Sequence, residues 1–379
     1  MKYLLNRRDL FKVAFGSIFS LFSFLFGKRR GLKIKNRGTI MNGVKNITNL
    51  PESGPWPTID PFLFCVHHND NYPNATNEFI PNASLDGRNM GNDFSNKDGW
   101  SMYHGQTIPG FPKHPHRGFE TLTVVDKGMI DHSDSLGATA RYGNGDSQWL
   151  TAGDGINHSE MFPLFNQNKN NKLDFFQIWI NLPSNKKRVK PHFSMFWENQ
   201  IPKVMLEGEN GVVSKVEVIA GDLNNVKAPN PPPNSWANNK ENNVAVWVIH
   251  LKNKSVVTLP KANINIDRAI YILKDSEIKI NNDLVNSYTM VELHSERELI
   301  LENIGNDTKI LLLQGKPINE PVAKYGPFVM NTRSEIQEAF DDYNSTGFGG
   351  WEWDTSGPVH GEFKGKFAKL INGKLDRPS

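Results

Sequence analysis

Hydrophobic and polar positions alternate along the chain between residues 114 and 182. The segment HPHRGFETLTVV (114–125) is followed by MIDHSDSLG (129–137), GDSQWLTAGDGINHSEM (145–161) and FFQIWINLP (175–183). Gly, Asp and Asn residues typical of turns separate these segments at intervals of roughly 8–12 residues. Short strands with this spacing are typical of an antiparallel β-sandwich or barrel.

A second region with the same kind of alternation begins at residue 244. It contains VAVWVIHL (244–251), AIYIL (269–273) and KILLLQG (309–315). Its rhythm resembles that of the first region, so we expect two similar β domains in tandem. Residues 225–242 are rich in Pro and Asn and are interpreted as a loop in or beside the second domain.

A short helix is predicted after the second β region. Thr332-Arg333-Ser334-Glu335 has the form of a capping box. Apolar positions with helical spacing follow it, namely Ile336, Ala339, Phe340 and Tyr343. The predicted fold is therefore all-β: two tandem antiparallel β-barrel or jelly-roll domains with a short C-terminal helix. The predicted segments are 1–50 (leader and linker), 51–190 (first domain), 191–335 (second domain) and 336–379 (helix and tail).

The N-terminal segment has the pattern of an export signal. Two adjacent arginines, Arg7 and Arg8, precede the apolar run VAFGSIFSLFSFLFG (13–27), which is short for a membrane span. This pattern predicts recognition by the twin-arginine export machinery. Because KRRG (28–31) follows without a clear cleavage site, the segment could instead stay as a membrane tether. We expect a periplasmic or inner-membrane-anchored protein of a bacterium, which cell fractionation would test.

Residues 67–110 are polar, rich in Asn, Gly and Asp, and show little periodicity. They are interpreted as a long surface insertion. The paired histidines of HHNDNYPN (67–74) are expected to lie in a solvated loop, because adjacent side chains converge poorly on one ligand. DFSNKDGW (93–100) lacks the spaced ligand series and the closing Glu of a calcium loop.

Charge and cysteine content limit the kinds of chemistry. The formal net charge is +3, and there is no basic stripe with interleaved aromatics, so no nucleic-acid partner is expected. A single cysteine, Cys65, excludes an intramolecular disulfide and a multi-cysteine zinc site. Any metal would have to be held by His, Asp or Glu.

Two pairs of residues have the spacing of a metal site. His114 and His116 lie one residue apart, as do His158 and Glu160 about forty residues later. Residues i and i+2 of a strand point to the same face, so the two pairs can converge inside a barrel. Such a mixed nitrogen and oxygen site suits Fe(II), Mn, Ni, Cu or Zn. Glu120, in even register with both histidines, is a competing carboxylate, and a plain hydrogen-bonded His/Glu network is the alternative without metal.

Four strings in this order resemble the pirin family of bicupins. They are HPHRGFETLTVV, GDSQWLTAGDGINHSEM, NLPSNKKRVKPHF and LLLQGKPINEPVAKYGPFVMNTRSEI. The similarity runs from about Asp60 to Tyr343, interrupted by the insertion. The resemblance implies a first cupin with one metal, with Fe(II) favoured, and a second cupin without metal, where His250 and His294 stand alone. It also implies the metal ligands His114, His116, His158 and Glu160.

The resemblance implies two alternative functions. Some pirins resemble quercetinases, which would make this chain a dioxygenase that cleaves a flavonol-type aromatic substrate with dioxygen. Glu160 would then be catalytic and accept the proton of the substrate hydroxyl. The alternative is a non-catalytic iron-binding module that interacts with an envelope partner. A wide, apolar opening of the barrel above the metal, the mouth, would favour the enzyme over the binding module. The candidate residues for this mouth are Phe111, Phe162, Phe165 and Trp149.

Overall fold

A computed structural model describes residues 42–361 and 365–379 of the chain. Almost all regular structure in these ranges is β, as predicted. In chain order the strands are β1 (Val44–Asn49), β2 (Phe62–Tyr72), β3 (Gly110–His116), β4 (Phe119–Lys127), β5 (Met129–Asp134), β6 (Thr139–Gly143), β7 (Ser147–Thr151), β8 (Ile156–Met161), β9 (Asn171–Asn181), β10 (His192–Phe196), β11 (Lys203–Glu207), β12 (Val213–Ala220), β13 (Asp222–Leu223), β14 (Val226–Lys227), β15 (Ala245–Leu251), β16 (Val256–Leu259), β17 (Asp267–Ile272), β18 (Ile278–Ile280), β19 (Asp283–Val285), β20 (Thr289–Leu293), β21 (Leu299–Asn303), β22 (Thr308–Gly315), β23 (Ala323–Tyr325), β24 (Phe328–Met330), β25 (Phe367–Lys369) and β26 (Leu375–Asp376).

The first unit consists of two sheets packed face to face. One has the order β10-β7-β4-β9-β2 and the other β26-β25-β6-β5-β8-β3. Leu150 and Phe175 of the first sheet pack against Ile130 and Ile156 of the second. Because strand side chains alternate, the same inward face also carries polar residues of β3 and β8.

The second unit repeats this arrangement with a mainly apolar interior. Its sheets have the orders β1-β20-β17-β22-β15-β12-β11 and β16-β21-β18-β19. Ile249 and Leu312 of the larger sheet pack against Leu301 of the smaller one. The larger sheet also packs its other face on the first unit, where Leu311 and Ile178 share one core. The prediction of two tandem antiparallel β units is confirmed.

Strand pairing in these units crosses the predicted boundaries at three places. β1 pairs with β20, so folded structure begins before residue 51, in the sheet of the second unit. β10 pairs with β7, which extends the first unit beyond residue 190. β25 pairs with β6, so part of the predicted tail belongs to a sheet of the first unit. Strand pairing joins segments that are distant along the chain, and local composition does not reveal it.

The segment 67–110 was predicted to be a surface insertion, but part of it is buried in the first unit. Residues 67–72 continue β2 and pair with β9, so the paired histidines do not lie in a loop. His68 is buried, stacks on Phe175 at a centroid distance of 4.4 Å, and hydrogen-bonds Tyr103. Farther along, Arg88 is buried and forms an ion pair with Asp93 at 2.9 Å. The segment therefore contributes residues to the core of the first unit.

The C-terminal helix is confirmed. Helix α1 (Arg333–Thr346) begins after Thr332, whose hydroxyl accepts a hydrogen bond from the Glu335 backbone, while the Glu335 side chain accepts one from the Thr332 backbone. Short 3-10 turns lie at Lys97–Gly99, Ser184–Lys186, Trp236–Asn238, Lys240–Asn242 and Gly347–Gly349.

The predicted export signal, with Arg7 and Arg8, lies outside the described residues and stays a prediction. Among the residues that are described, no helix has both the length and the apolar character to cross a membrane.

Candidate metal centre

Three histidines converge on the inward face of the first unit. His114 of β3 lies directly opposite His158 of β8 in the antiparallel ladder, and His116 lies two residues farther along β3. The ring centroids are 4.3 Å apart for His114 and His158, 4.8 Å for His114 and His116, and 4.9 Å for His116 and His158. One nitrogen from each ring lies within 4.8 Å of the other two. The structure thus brings together three of the four residues predicted as ligands.

Backbone carbonyls orient two of these rings. Nδ1 of His114 lies 2.9 Å from the carbonyl oxygen of Pro112, and Nδ1 of His116 lies 3.3 Å from that of Pro327. When Nδ1–H donates to a carbonyl, Nε2 is left with its lone pair available to a metal. His158 is fully buried, and neither of its ring nitrogens has a hydrogen-bond partner. Buried polar atoms are normally paired, so this donor set fits a metal ion.

Burial also sets the charge state of these rings. It lowers the pKa of His114 to about 4, with a smaller contribution from neighbouring histidines. Burial lowers the pKa of His116 and of His158 well below the usual value in the same way. The three imidazoles are therefore neutral at pH 7, which is the form that binds a metal.

Glu160, the fourth predicted ligand, does not belong to this cluster. It lies opposite Phe111, on the far side of an irregularity in the ladder between Phe111 and His114. Its Oε1 accepts a hydrogen bond from the Thr123 hydroxyl at 3.0 Å, and its Oε2 lies 3.5 Å from the amide nitrogen of Gln177. Burial raises the pKa of its carboxyl group above the usual value. Glu160 is thus a buried carboxylate on the same face as the histidines.

Glu120, the competing carboxylate, is directed away from the histidines. The chain turns between the end of β3 and the start of β4, so the even register with His116 does not continue into Glu120. Its carboxylate accepts hydrogen bonds from the hydroxyls of Thr151 and Ser235 at 2.7 and 2.6 Å. Because Ser235 belongs to the second unit, Glu120 joins the two units.

The protonation of Glu120 should make stability depend on pH. Burial raises the pKa of Glu120 from 4.5 to about 7, although both hydroxyl hydrogen bonds oppose the shift. Between these values the unfolded chain has released the proton that the folded chain keeps, so stability falls as pH rises from 4.5 to 7. Above pH 7 both states are ionised, and about 3 kcal/mol of unfolding free energy has been lost.

Urea denaturation of the metal-free protein at pH 5 and pH 8 tests this expectation. Glu120→Gln should lose about 2.5 kcal/mol less than the wild type between the two pH values, and after reloading it should bind as much metal as the wild type. An equal loss in both proteins would show that another group carries the dependence.

The sequence did not identify His132 as a neighbour of the centre. In the structure His132 lies opposite Glu160 in the pairing of β5 with β8. Its Nε2 is 3.0 Å from Asp134, and its ring centroid is 5.6 Å from that of His158. The i, i+2 spacing of His132 and Asp134 is the signal that was available in the sequence.

Of the four residues predicted for the mouth, Phe111 is the one beside the histidines. Its ring centroid is 6.4 Å from that of His114, and Phe162 packs behind it at 5.9 Å. Phe165 lies at the surface with 41% exposure. Trp149 is buried on the other face of β7, in the core between the two units, so the prediction for Trp149 is wrong.

Two aromatic residues that the sequence did not identify pack against the centre. The ring of Phe119 lies 4.9 Å from His116, and that of Trp179 lies 5.3 Å from it. Segment 67–110 adds Phe94 and His104, whose rings lie 6.4 and 5.7 Å from Phe111. Aromatic surface therefore borders the histidines on both the β3 and the β9 side.

The chain has recognisable relatives. The pirin family model matches residues 44–180, and that of the pirin C-terminal cupin domain matches residues 246–349. A Pseudomonas aeruginosa protein provisionally named a quercetin 2,3-dioxygenase is 33% identical over 63% of this chain and 79% of its own. Pirin-1 of Arabidopsis thaliana is 35% identical over 62% of this chain and 77% of its own.

Solved structures give the same relationship. A crystal structure of quercetin 2,3-dioxygenase from Acinetobacter baumannii superimposes with a TM-score of 0.61 and 27% identity, covering 81% of this chain and 96% of that one. The two-unit β architecture and both family models agree with the resemblance found in the sequence. The chain belongs to the pirin family of two-domain cupins.

Proposed function

We propose that the protein is a metal-dependent dioxygenase that cleaves flavonol-type aromatic substrates. The observation that carries this proposal is the buried cluster of three histidines, one of which has no hydrogen-bond partner for either ring nitrogen. The quercetin 2,3-dioxygenase name of the similar Acinetobacter structure supports the reaction type.

His114, His116 and His158 would hold the metal, with Fe(II) favoured and Mn, Ni, Cu or Zn as alternatives. A bound transition metal supplies Lewis acidity and a template that brings substrate and dioxygen together. Glu160 remains a candidate fourth ligand, because it lies on the same strand and face as His158, although its oxygens are engaged elsewhere in this structure.

Glu160 would accept the proton of the substrate hydroxyl. A general base must lie within reach of that proton and have a suitable pKa. The Glu160 carboxylate faces the interior beside the histidines, and burial raises its pKa, which favours proton uptake. Thr123 holds the carboxylate in place through its hydroxyl at 3.0 Å.

The aromatic residues would bind the substrate rings. Phe119 and Trp179 lie beside His116, and Phe111 lies beside His114. Offset or edge-to-face contacts between such rings and a planar ligand are favourable. They would also keep water away from the histidines.

Metal analysis together with oxygen uptake in the presence of quercetin tests the proposal. We expect about one transition-metal ion per chain and oxygen uptake that Glu160→Gln reduces by roughly 100-fold or more. Glu120→Gln is the matched control, since it makes the same change at a buried carboxylate outside the cluster, and it should retain uptake. Bound metal without uptake would contradict the enzyme and favour a non-catalytic iron-binding module with an envelope partner.

A further inference from the structure

A lysine lies at the aromatic wall of the candidate centre. The Lys324 ammonium is 4.8 Å from the ring centroid of Trp179 and 5.5 Å from that of Phe64. The same Trp179 ring lies 5.3 Å from the ring of His116. The ammonium and a candidate metal ligand therefore both lie against the same indole ring.

The backbone of the hairpin that carries Lys324 contacts residues of the candidate metal centre. Lys324 pairs with Val329 in the β23–β24 hairpin. The Val329 N–H donates to the Arg117 carbonyl at 3.0 Å, and Pro327 of the same hairpin provides the carbonyl beside Nδ1 of His116. The hairpin that carries Lys324 thus contacts both the ligand His116 and the residue after it.

In the described part of the chain, the ammonium has aromatic neighbours and no anionic one. Within residues 42–361 and 365–379, no carboxylate lies within ion-pairing distance of Lys324 and no acceptor hydrogen-bonds it. Burial lowers the pKa of its ammonium to about 8, so the group is still mostly charged at pH 7. Lys274 makes a similar contact with Tyr288 at 4.7 Å but also pairs with Glu52. A half-buried charge that lacks such a partner is suited to bind an anionic group of a ligand.

We propose that Lys324 binds the carboxylate of an aromatic acid whose hydroxyl groups face the three histidines. The substrates would then include hydroxylated aromatic acids in addition to flavonols. This inference rests on the proposed function for the placement of the hydroxyl groups at the histidine cluster.

The test compares two ligands that differ in charge. Full-length protein loaded with Ni(II) is titrated with 3,4-dihydroxybenzoate and with 4-methylcatechol at pH 7, and both dissociation constants are measured by calorimetry. We expect the acid to bind roughly tenfold more tightly than the neutral catechol. Lys324→Met keeps the apolar stem and should remove this preference, while Lys324→Arg should retain it. Lys274→Met, which removes a lysine over another aromatic ring in the second unit, should behave as the wild type.

The outcomes separate this inference from the proposed function. Equal binding of both ligands by the wild type, or a preference that persists in Lys324→Met, would overturn the role of Lys324. Absence of binding by either ligand would overturn it as well. Lack of oxygen uptake with quercetin, with the charge preference intact, would count against the dioxygenase alone. Thermal unfolding of each variant checks that the fold is retained.

Discussion

His158→Ala is expected to abolish metal binding. His158 is the residue of the cluster that lies opposite His114 in the ladder, and both of its ring nitrogens are buried without partners. Removing it leaves two imidazoles, which cannot complete a transition-metal site without another ligand. We expect metal affinity to fall by roughly 100-fold or more, and the metal content of the purified protein to fall from one equivalent towards zero.

Elemental analysis and competition with a chromogenic chelator measure this effect. His294→Ala is a suitable control, because His294 is an exposed histidine of the second unit whose Nδ1 lies 3.2 Å from Glu296. The control should keep its full metal content. If the wild type also lacked metal after supplementation with Fe(II), Ni(II) and Zn(II), the cluster would be a structural histidine network. Retention of metal by His158→Ala would place the ligands elsewhere.

The local pattern of the sequence predicted much of the centre. Residues i and i+2 of a strand have side chains on the same face. From this rule the sequence correctly predicted that His114, His116 and His158 lie together. The same rule failed for Glu120, because the turn at Gly118 interrupts the strand and resets its register. Glu160 lies on the correct face, but the irregularity in β3 and the hydroxyl of Thr123 hold its carboxylate outside the cluster.

Residues that reach the centre from distant strands were not predictable from local pattern. Trp179 lies on β9 and Lys324 on β23, and their positions depend on sheet order and on the hairpin that contacts Arg117. The same limit explains β1, whose polar pattern gives no sign that it pairs with β20, far along the chain. Alternation predicts which face a side chain occupies, whereas strand pairing decides its neighbours.

Gly118→Ala is expected to destabilise the protein strongly. Gly118 follows the ligand strand with a φ of +86°, and a Cβ there would lie 1.9 Å from the carbonyl oxygen of Val329. That oxygen belongs to the backbone of the hairpin whose Pro327 carbonyl lies beside His116, so relief of the clash would require this hairpin to shift. The left-handed conformation alone costs about 1–2 kcal/mol for a residue with a Cβ, and the clash should raise the loss to about 4 kcal/mol.

Gly211→Ala separates the two contributions. Gly211 also has a positive φ, +76°, but no atom lies within 4 Å of an added Cβ, so this variant should lose only the conformational cost of about 1–2 kcal/mol. Chemical denaturation gives both losses, and metal content shows whether the hairpin still supports His116. Equal destabilisation of the two variants would mean that the hairpin yields readily to Gly118→Ala. In that case, the contact between Gly118 and Val329 would not fix the position of the hairpin on β3.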